Sequence, residues 1–391
     1  MNNRNKLLTT SILTKKHHQI MDKTEESFLN FDDGISSRYT RRAYHRAINR
    51  FMELHGMGSF DIVTKLPQEE ISSLVKQFIR HLKEQDLATN TVKLNLVGVL
   101  LFFDMNDILL NKKKLYKMVK PNDEESQKRK SVLAGKKPYT DDDIRKLLGA
   151  TKKLRTKAII HFFTSTGARP AVIWDPILRM KHLFKMPQGC KALNLYSESD
   201  EEYWSFLTPE AAKALQDYHD LRKDSGEIFD DETPVFAIRK GKPMSEYSVR
   251  AVIKDTIKQA GIAKTKINNK TDKASFYGFR KRFNTILKSN NNVNSNIAEK
   301  LMAHKNGLDG VYLQPTKEEC FAEFVKSAPQ LMIDQTEIQQ HKIQELEKQN
   351  DHEISKLRNE IQILKEIIEE QEIPKEEWEE IKKNSPKLSL K

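Results

Sequence analysis

Three short segments in the second half of the chain combine residue types suited to chemistry on a phosphate group. They run Thr166-Gly167-Ala168-Arg169-Pro170, Phe276-Tyr277-Gly278-Phe279-Arg280 and Leu301-Met302-Ala303-His304, and Tyr312 follows the last of them. An arginine guanidinium makes two aimed hydrogen bonds to a phosphate and does not lose its proton. Arg169 and Arg280 could therefore meet the charge that develops on a phosphate during transesterification, without a metal ion.

The order and spacing of these segments resemble the tyrosine recombinase family, the phage-type integrases. Its catalytic domain carries TGxR, HxxR and LGH motifs and then a nucleophilic tyrosine. The resemblance covers about residues 36–330, most of the chain that is expected to fold. Arg38 to Leu54 is similar to the first helix of the family's core-binding domain, and Pro138 to Leu148 to the opening of its catalytic domain. Residues 307–312, with Pro315 and Thr316, are similar to archaeal integrase-type members.

The resemblance implies a role for each residue of the set. Tyr312 would attack phosphorus, leaving a 3′-phosphotyrosine and a free 5′-hydroxyl, and the stored ester would then allow religation to another strand. Arg169 and Arg280 would hold the phosphate, and His304 would add a third hydrogen bond. No metal, ATP or other cofactor is implied.

The sequence departs from the family pattern at several positions. Tyr277 stands where the family usually has histidine. It could hydrogen-bond a phosphate, but its ordinary pKa of about 10 makes it a poor base. Ala303 replaces a glycine. Family members also place a lysine in the hairpin turn as the general acid, whereas the turn here, Ser197 to Glu202, is acidic. Lys191 is the nearest basic residue and the candidate substitute.

The catalytic segments fall within a predicted domain of residues 138–333, in which helices alternate with short strands. Thr140 and Asp143 predict a capping box at its start. Its other predicted elements are a hairpin of Cys190–Tyr196 and Tyr203–Leu207, a helix that Thr208 and Pro209 begin and that runs to Leu221, and a helix from Ser245 to Ala260. Lys240 and Lys242 are predicted to contact the DNA backbone or to remain solvated loop charges.

An all-helical domain is predicted over residues 35–121, between a flexible arm at residues 1–34 and a linker at residues 122–137. Four helical patterns follow one another there, and a short helix in the arm is also an option. In the first pattern Tyr44, Ile48, Phe51 and Leu54 recur at helical spacing. Most of the basic residues lie off this stripe and predict a DNA-binding face, namely Arg38, Arg41, Arg42 and Arg46.

The last part of the chain has a different composition. Ile343, Leu346 and Asn350, and then residues 354–368, repeat apolar positions at intervals of three and four with one four-residue step. This pattern predicts a coiled coil with a stutter at residues 334–372, or a lone amphipathic helix lying on the body. Pro374 ends the pattern, and residues 373–391 are expected to be a flexible tail.

Charge divides the chain in the same way. From Asp334 onward there are 10 basic and 15 acidic residues, so the preceding residues carry +17 of charge within a net +12. A body this basic suits a polyanion such as DNA, or indicates only a basic soluble protein. The two cysteines lack disulfide or zinc-site spacing, and no apolar run could cross a membrane. We therefore expect a cytoplasmic, nucleoid-associated protein.

Together these features predict a mainly α protein with a small β-sheet in the catalytic domain. We expect a two-domain clamp on double-stranded DNA, assembling as a tetramer on paired sites. Its C-terminal coiled coil is expected to support dimerisation or to recruit a different partner. The predicted activity is site-specific cutting and rejoining of DNA. Two alternatives stay open: an inactive relative that binds DNA as an oligomeric architectural protein, and a type IB topoisomerase that relaxes DNA.

Overall fold

The computed structural model describes residues 22–120, 137–239, 241–262, 266–267, 270–271, 275–304, 312–370 and 375–384. The chain forms two compact units, residues 1–134 and 135–391. Helices dominate both, and the strands of the described residues lie in the second unit. The predicted fold class is confirmed. Residues 122–136 of the predicted linker lie outside the described residues.

The first unit is a bundle of helices around one apolar core. Its described helices are α1 (Glu26–Asp33), α2 (Arg38–Leu54), α3 (Phe60–Thr64), α4 (Gln68–Glu84), α5 (Thr89–Asp104) and α6 (Lys112–Val119). The predicted stripe of α2 is confirmed, because Ile48 and Phe51 are buried in the core and Tyr44 and Leu54 pack against it. At Gly98 of α5 an added Cβ would lie 3.0 Å from the Cβ of Ala47, so α2 and α5 approach closely.

In the predicted arm, the alternative of a short helix is confirmed by α1, whereas the flexibility expected of these last residues is wrong. Phe28 and Phe31 of this helix are buried in the core of the first unit. Eight residues give too few turns for a helical repeat to stand out in the sequence, so the two phenylalanines were not recognised as core. Residues 1–21 lie outside the described part of the chain.

The second unit opens with the predicted capping box. The Thr140 hydroxyl accepts from the Asp143 backbone amide, and the Asp143 carboxylate accepts from that of Thr140. Its helices are α7 (Asp141–Gly149), α8 (Leu154–Thr166), α9 (Pro209–Asp224), α10 (Glu246–Gln259), α11 (Ser275–Ser289), α12 (Ser295–Lys300), α13 (Lys317–Val325), α14 (Ala328–Leu331), α15 (Gln335–Glu370) and α16 (Lys375–Asn384). Thr208 caps α9 and Pro209 is its first residue, as predicted.

A three-stranded antiparallel sheet lies between α8 and α9 in sequence. The predicted hairpin is confirmed as β2 (Lys191–Leu195) and β3 (Tyr203–Leu207), in which Lys191 pairs with Leu207 and Leu195 with Tyr203. The sequence analysis missed β1 (Leu183–Lys185), which pairs with β2. The remaining described strands form two-stranded ribbons, β4 (Ala237–Arg239) with β5 (Lys242–Pro243) and β6 (Lys266–Ile267) with β7 (Lys270–Thr271).

Two apolar cores hold the second unit together. The larger one surrounds α8, which is buried from Ala158 to Thr166. The smaller one joins α11, α12 and α13 to the sheet through Phe283, Leu301, Phe324 and Phe206. The three predicted catalytic segments lie at the C-terminal end of α8, within α11 and directly after α12.

The C-terminal residues extend the helical structure further than predicted. Residues 335–370 form one helix, and the coiled coil itself stays a prediction. The predicted flexible tail is wrong at residues 375–384, where α16 forms a helix with Trp378 and Ile381 three residues apart. None of the helices described here is long and apolar enough to cross a bilayer.

Candidate active site

Arg280 joins the three motif segments through its own side chain. It is buried, Nη1 donates to the Gly167 carbonyl at 2.9 Å, and Nη2 donates to the Met302 carbonyl at 2.6 Å. The first acceptor follows α8 and the second follows α12. Burial lowers the pKa of Arg280, and the nearby Arg169 lowers it further, yet a guanidinium keeps its charge in proteins. A fixed cation therefore stands where the segments meet.

Arg169 lies beside this junction and is more exposed. Gly167 ends α8 with a left-handed φ of 56°, which turns the chain so that Arg169 precedes a short 3-10 turn. Its Nη2 donates to the Ala303 carbonyl at 3.4 Å, and its Nη1 lies 3.3 Å from the Glu201 carboxylate in the hairpin turn. The predicted pair of arginines is thus brought together, and one of them already has an acidic partner.

His304 is held by a carboxylate from the end of α12. Its Nδ1 lies 2.5 Å from Oε2 of Glu299, and its backbone amide donates to the Glu299 carbonyl. Lys288 binds the other oxygen of Glu299. Burial raises the pKa of Glu299, but its hydrogen bonds to Lys288 and His304 outweigh burial and lower it. Because Glu299 occupies Nδ1, Nε2 is the ring nitrogen left for a ligand.

Three tyrosines surround the arginines. Tyr277 lies one turn before Arg280 on α11 and is exposed. Burial raises the pKa of Tyr196 to about 12 and raises that of Tyr203 even more, against the opposing effect of the arginines. Both keep their protons near neutral pH, and the buried Tyr203 hydroxyl has no hydrogen-bond partner among the described residues. Neither of these two half-buried tyrosines is suited to act as a base.

The structure does not bring every predicted residue to this junction. Tyr312 is described and its side chain is 80% exposed, but residues 305–311 before it lie outside the described part. Within the described residues, no hydrogen bond or ring contact joins Tyr312 to the arginines or to His304. Its role stays a prediction.

Lys191 is placed away from the arginines. It lies at the end of β2 remote from the turn, about 13 Å along the strand from Leu195 at about 3.3 Å per residue. Its Nζ donates to Gln216 of α9 at 3.2 Å, whereas Glu201 in the turn pairs with Arg169. Burial lowers the pKa of Lys191, with Asp220 opposing and Lys185 and Lys223 assisting. The sequence proximity of Lys191 to the turn was misleading, because the strand carries it to the other end of the hairpin.

The predicted DNA contacts have different surroundings. In the first unit Arg42, Arg46 and Arg50 line a shallow depression of about 540 Å³, and Arg38 is exposed. In the second unit Lys242 is exposed in β5, and Lys240 lies outside the described residues.

Arg41 differs from the other arginines of α2. Its Nη1 pairs with Asp32 at 2.6 Å, and its Nη2 donates to the Ile35 carbonyl at 2.6 Å. These contacts fasten the link between α1 and α2. Arg41 was predicted to bind DNA because it lies off the apolar stripe of α2. Its described contacts are instead with Asp32 and Ile35, and a part in DNA binding stays a prediction.

Sequence reasoning missed Glu299 and Glu201 as parts of the junction. Glu299 precedes His304 by five residues, and the end of α12 folds the chain back so that the two side chains meet. Glu201 was noted only as part of an acidic turn, because its contact with Arg169 joins residues 32 positions apart. Such contacts have no local signature in the sequence.

Of the comparisons with known proteins, the one with protein families agrees with the motif resemblance. The family model described as the phage integrase family matches residues 138–314. No curated protein sequence matches the chain. Among solved structures, XerH site-specific recombinase bound to its difH substrate has 13% identity and a TM-score of 0.48, covering 74% of this chain and 85% of its own. The Tn1549 transposon integrase, in complex with transposon right end DNA, has 18% identity and a TM-score of 0.47, covering 75% and 95%.

The family match spans the junction itself. It contains the end of α8, Arg280 of α11 and the segment that ends in His304, and it includes Tyr312. The second unit of this chain therefore carries a domain of the phage integrase family, the family of the tyrosine recombinases.

Proposed function

We propose that this chain is a site-specific DNA recombinase that cuts and rejoins strands through a 3′-phosphotyrosine on Tyr312. The observation that carries the proposal is the junction made by Arg280, whose hydrogen bonds to Gly167 and Met302 hold three distant motif segments together. A merely structural arginine would not need Arg169 and His304 beside it.

The junction offers donors suited to one phosphate. Arg169 and Arg280 supply cationic N–H groups, and His304 supplies Nε2, since Glu299 holds Nδ1. Nε2 donates to a phosphate oxygen only when both ring nitrogens carry protons. These donors would stabilise the extra negative charge of a phosphorane-like transition state.

The proposed reaction is a balanced exchange of esters. The Tyr312 oxygen bonds to phosphorus and loses its phenolic proton, and the bond from phosphorus to the 5′-oxygen breaks. That oxygen leaves as a 5′-hydroxyl after gaining a proton. Attack by another 5′-hydroxyl then reverses the steps and releases Tyr312. We leave Lys191 out of the proton transfer because of its place at the far end of β2.

The DNA contacts of the proposal come from both units. Arg38, Arg42 and Arg46 on α2 present charge that the first unit does not use internally among its described residues, and Lys242 does so in the second unit. Contacts of this kind bind the phosphate backbone without reading the sequence, so we expect affinity to fall steeply with salt.

Trapping the covalent intermediate tests the proposal. Purified full-length protein is mixed with nicked suicide duplexes that tile the DNA flanking its own gene, and adducts resistant to SDS are sought. We expect the wild type and Tyr247→Phe to form the adduct and Tyr312→Phe not to form it. Tyr247 is the matched control, because its side chain is also exposed, at 82%.

The outcomes separate the candidate functions. An adduct that persists in Tyr312→Phe would assign the nucleophile to another residue. Tight, salt-sensitive binding with no adduct on any duplex would favour the architectural DNA-binding protein, in which Glu201 keeps Arg169 occupied.

A further inference from the structure

An apolar stripe runs along α15 without a covering partner among the described residues. Ile354, Leu357, Ile361 and Leu364 follow one another at intervals of three and four, and their side chains are 47% to 57% exposed. Helices do not leave such a stripe in water without cost, because burying one of these side chains contributes about 1.5–3 kcal/mol. We therefore expect another apolar surface to pack against this stripe.

The residue types along the stripe favour a second helix of the same kind. In a heptad, Ile354 and Ile361 take the first apolar position and Leu357 and Leu364 take the second. In parallel coiled coils, β-branched residues at the first apolar position and leucine at the second favour a pair of helices over larger assemblies. Asn350 takes a first position in the preceding segment, where a buried asparagine selects a two-stranded, in-register pairing.

The charges beside the stripe decide the orientation. Glu353 and Glu360 flank it on one side, and Arg358 and Lys365 on the other. In a parallel, in-register pair each glutamate faces the basic residue five positions later in the other helix, Glu353 with Arg358 and Glu360 with Lys365. An antiparallel pair would place glutamates opposite glutamates and basic residues opposite basic residues.

We infer that α15 pairs with α15 of a second copy of this chain as a parallel, in-register, two-stranded coiled coil over residues 343–364. Within the described residues none of these four exposed charged side chains forms an ion pair with its own chain, which leaves them for the partner helix. The inference does not depend on the proposed function. A pair formed this way would hold two phage integrase domains at high effective concentration before DNA binds.

Disulfide trapping tests the register in the full-length, nuclease-treated protein. Leu357→Cys places equivalent positions against each other in a parallel, in-register pair, whereas Asn359→Cys lies on the outer face of the helix. The natural cysteines, Cys190 and Cys320, are buried and should not interfere. We expect mild oxidation to give a covalent dimer with Leu357→Cys and little or none with Asn359→Cys. Equal cross-linking of both variants, or of neither, would overturn the inference.

Charge reversal tests the orientation by sedimentation in about 0.15 M salt. Glu360→Lys and Lys365→Glu should each weaken the dimer on the order of tenfold, because each turns two symmetry-related attractions into repulsions. The double variant should restore wild-type affinity. Single variants that dimerise more tightly would indicate an antiparallel pair. A wild-type monomer, or a trimer or tetramer that Leu357→Asp dissociates, would also overturn the two-stranded pairing.

Discussion

Individual side chains at the junction have both a structural and a chemical role. Arg280 has five N–H donors, and two of its hydrogen bonds go to backbone carbonyls. Its remaining donors can still meet a phosphate. Loss of this side chain would therefore disturb the fold of three segments as well as the chemistry, so its substitution cannot separate the two roles. Glu299 is a better residue for that purpose, because it acts through His304.

Glu299→Ala should slow formation of the covalent adduct by roughly 10- to 100-fold and leave DNA affinity nearly unchanged. The substitution frees the imidazole of His304 to rotate, and a small misplacement of a reacting group has an effect of about this size. Single-turnover adduct formation gives the rate, and a binding titration of the same duplex gives the affinity. Glu299→Gln keeps a hydrogen-bond acceptor and should recover part of the rate.

Glu323→Gln is the matched control for this prediction. Glu323 is nearly as buried as Glu299 and also pairs with a lysine, Lys326, but it contacts none of the motif segments. If Glu299 acts only by positioning His304, the double variant Glu299→Ala/His304→Ala should form the adduct little more slowly than His304→Ala alone. If the two losses multiply, or if Glu323→Gln slows the reaction equally, the contribution of Glu299 is to general stability.

Among the elements, the end of α8 sets the position of both arginines. Gly167 takes a left-handed φ, and an added Cβ would lie 2.6 Å from the Cβ of Phe283 on α11. Gly167→Ala should therefore destabilise the second unit by about 2–4 kcal/mol, since backbone strain and overpacking add. It should also slow the adduct, because the Gly167 carbonyl that binds Arg280 would shift. Urea unfolding and adduct rates measure the two effects.

Gly241→Ala tests the effect of backbone strain where the added Cβ makes no steric contact. Gly241 also has a left-handed φ, of 64°, but an added Cβ would meet nothing within 4 Å. We expect a loss of only about 1 kcal/mol there, the conformational cost alone, with adduct rates unchanged. Equal destabilisation by both variants would mean that Phe283 yields and that the close packing of α8 on α11 is not needed.

The sequence allowed the elements to be predicted wherever their signal is local. The capping box of Thr140 and Asp143, the hairpin of β2 and β3, and the start of α9 all rest on a few neighbouring residues. Elements that depend on distant partners could not be predicted in the same way. Helix α1 gains its stability from burying Phe28 in a core made by later helices.

In the candidate site, too, local features could be predicted from the sequence and distant contacts could not. The motif residues Arg169, Arg280 and His304 could be chosen from their types and order, and the structure brings them together. The partners that hold them could not, because Glu201 and Glu299 reach them only after the hairpin and α12 have formed. Lys191 failed for the same reason, since closeness to the turn along the chain is not closeness to Arg169.

At the scale of the whole molecule, charge distinguishes the C-terminal residues from the rest of the chain. The residues before Asp334 carry the positive charge, and those after it are acidic. The second unit also buries two histidines, His161 and His219. Burial lowers the pKa of each to about 4, with further lowering by Lys157 for His161 and by Arg222 for His219. These groups make the second unit sensitive to mild acid.

We expect the second unit to lose stability as the pH falls from about 6.5 to about 4. In this range the unfolded chain protonates both histidines and the folded unit does not, so unfolding takes up protons. The loss approaches about 3 kcal/mol for each histidine, from a pKa difference of about 2.5. The hydrogen bond to Arg222 lowers the pKa of the Glu227 carboxylate. Such carboxylates lose their contribution to the stability of the folded unit only below their ordinary pKa near 4.5.

Urea unfolding between pH 7 and pH 5 therefore isolates the effect of the histidines. His219→Phe should remove a large part of the pH dependence and leave the parts due to His161 and to His182, whose pKa burial also lowers. Arg222 still donates to the Val235 carbonyl that His219 contacts. His81→Gln, at a half-buried position of the first unit, should leave it unchanged. A pH dependence that survives in full in His219→Phe would mean that this histidine is protonated in the folded unit as readily as in the unfolded chain.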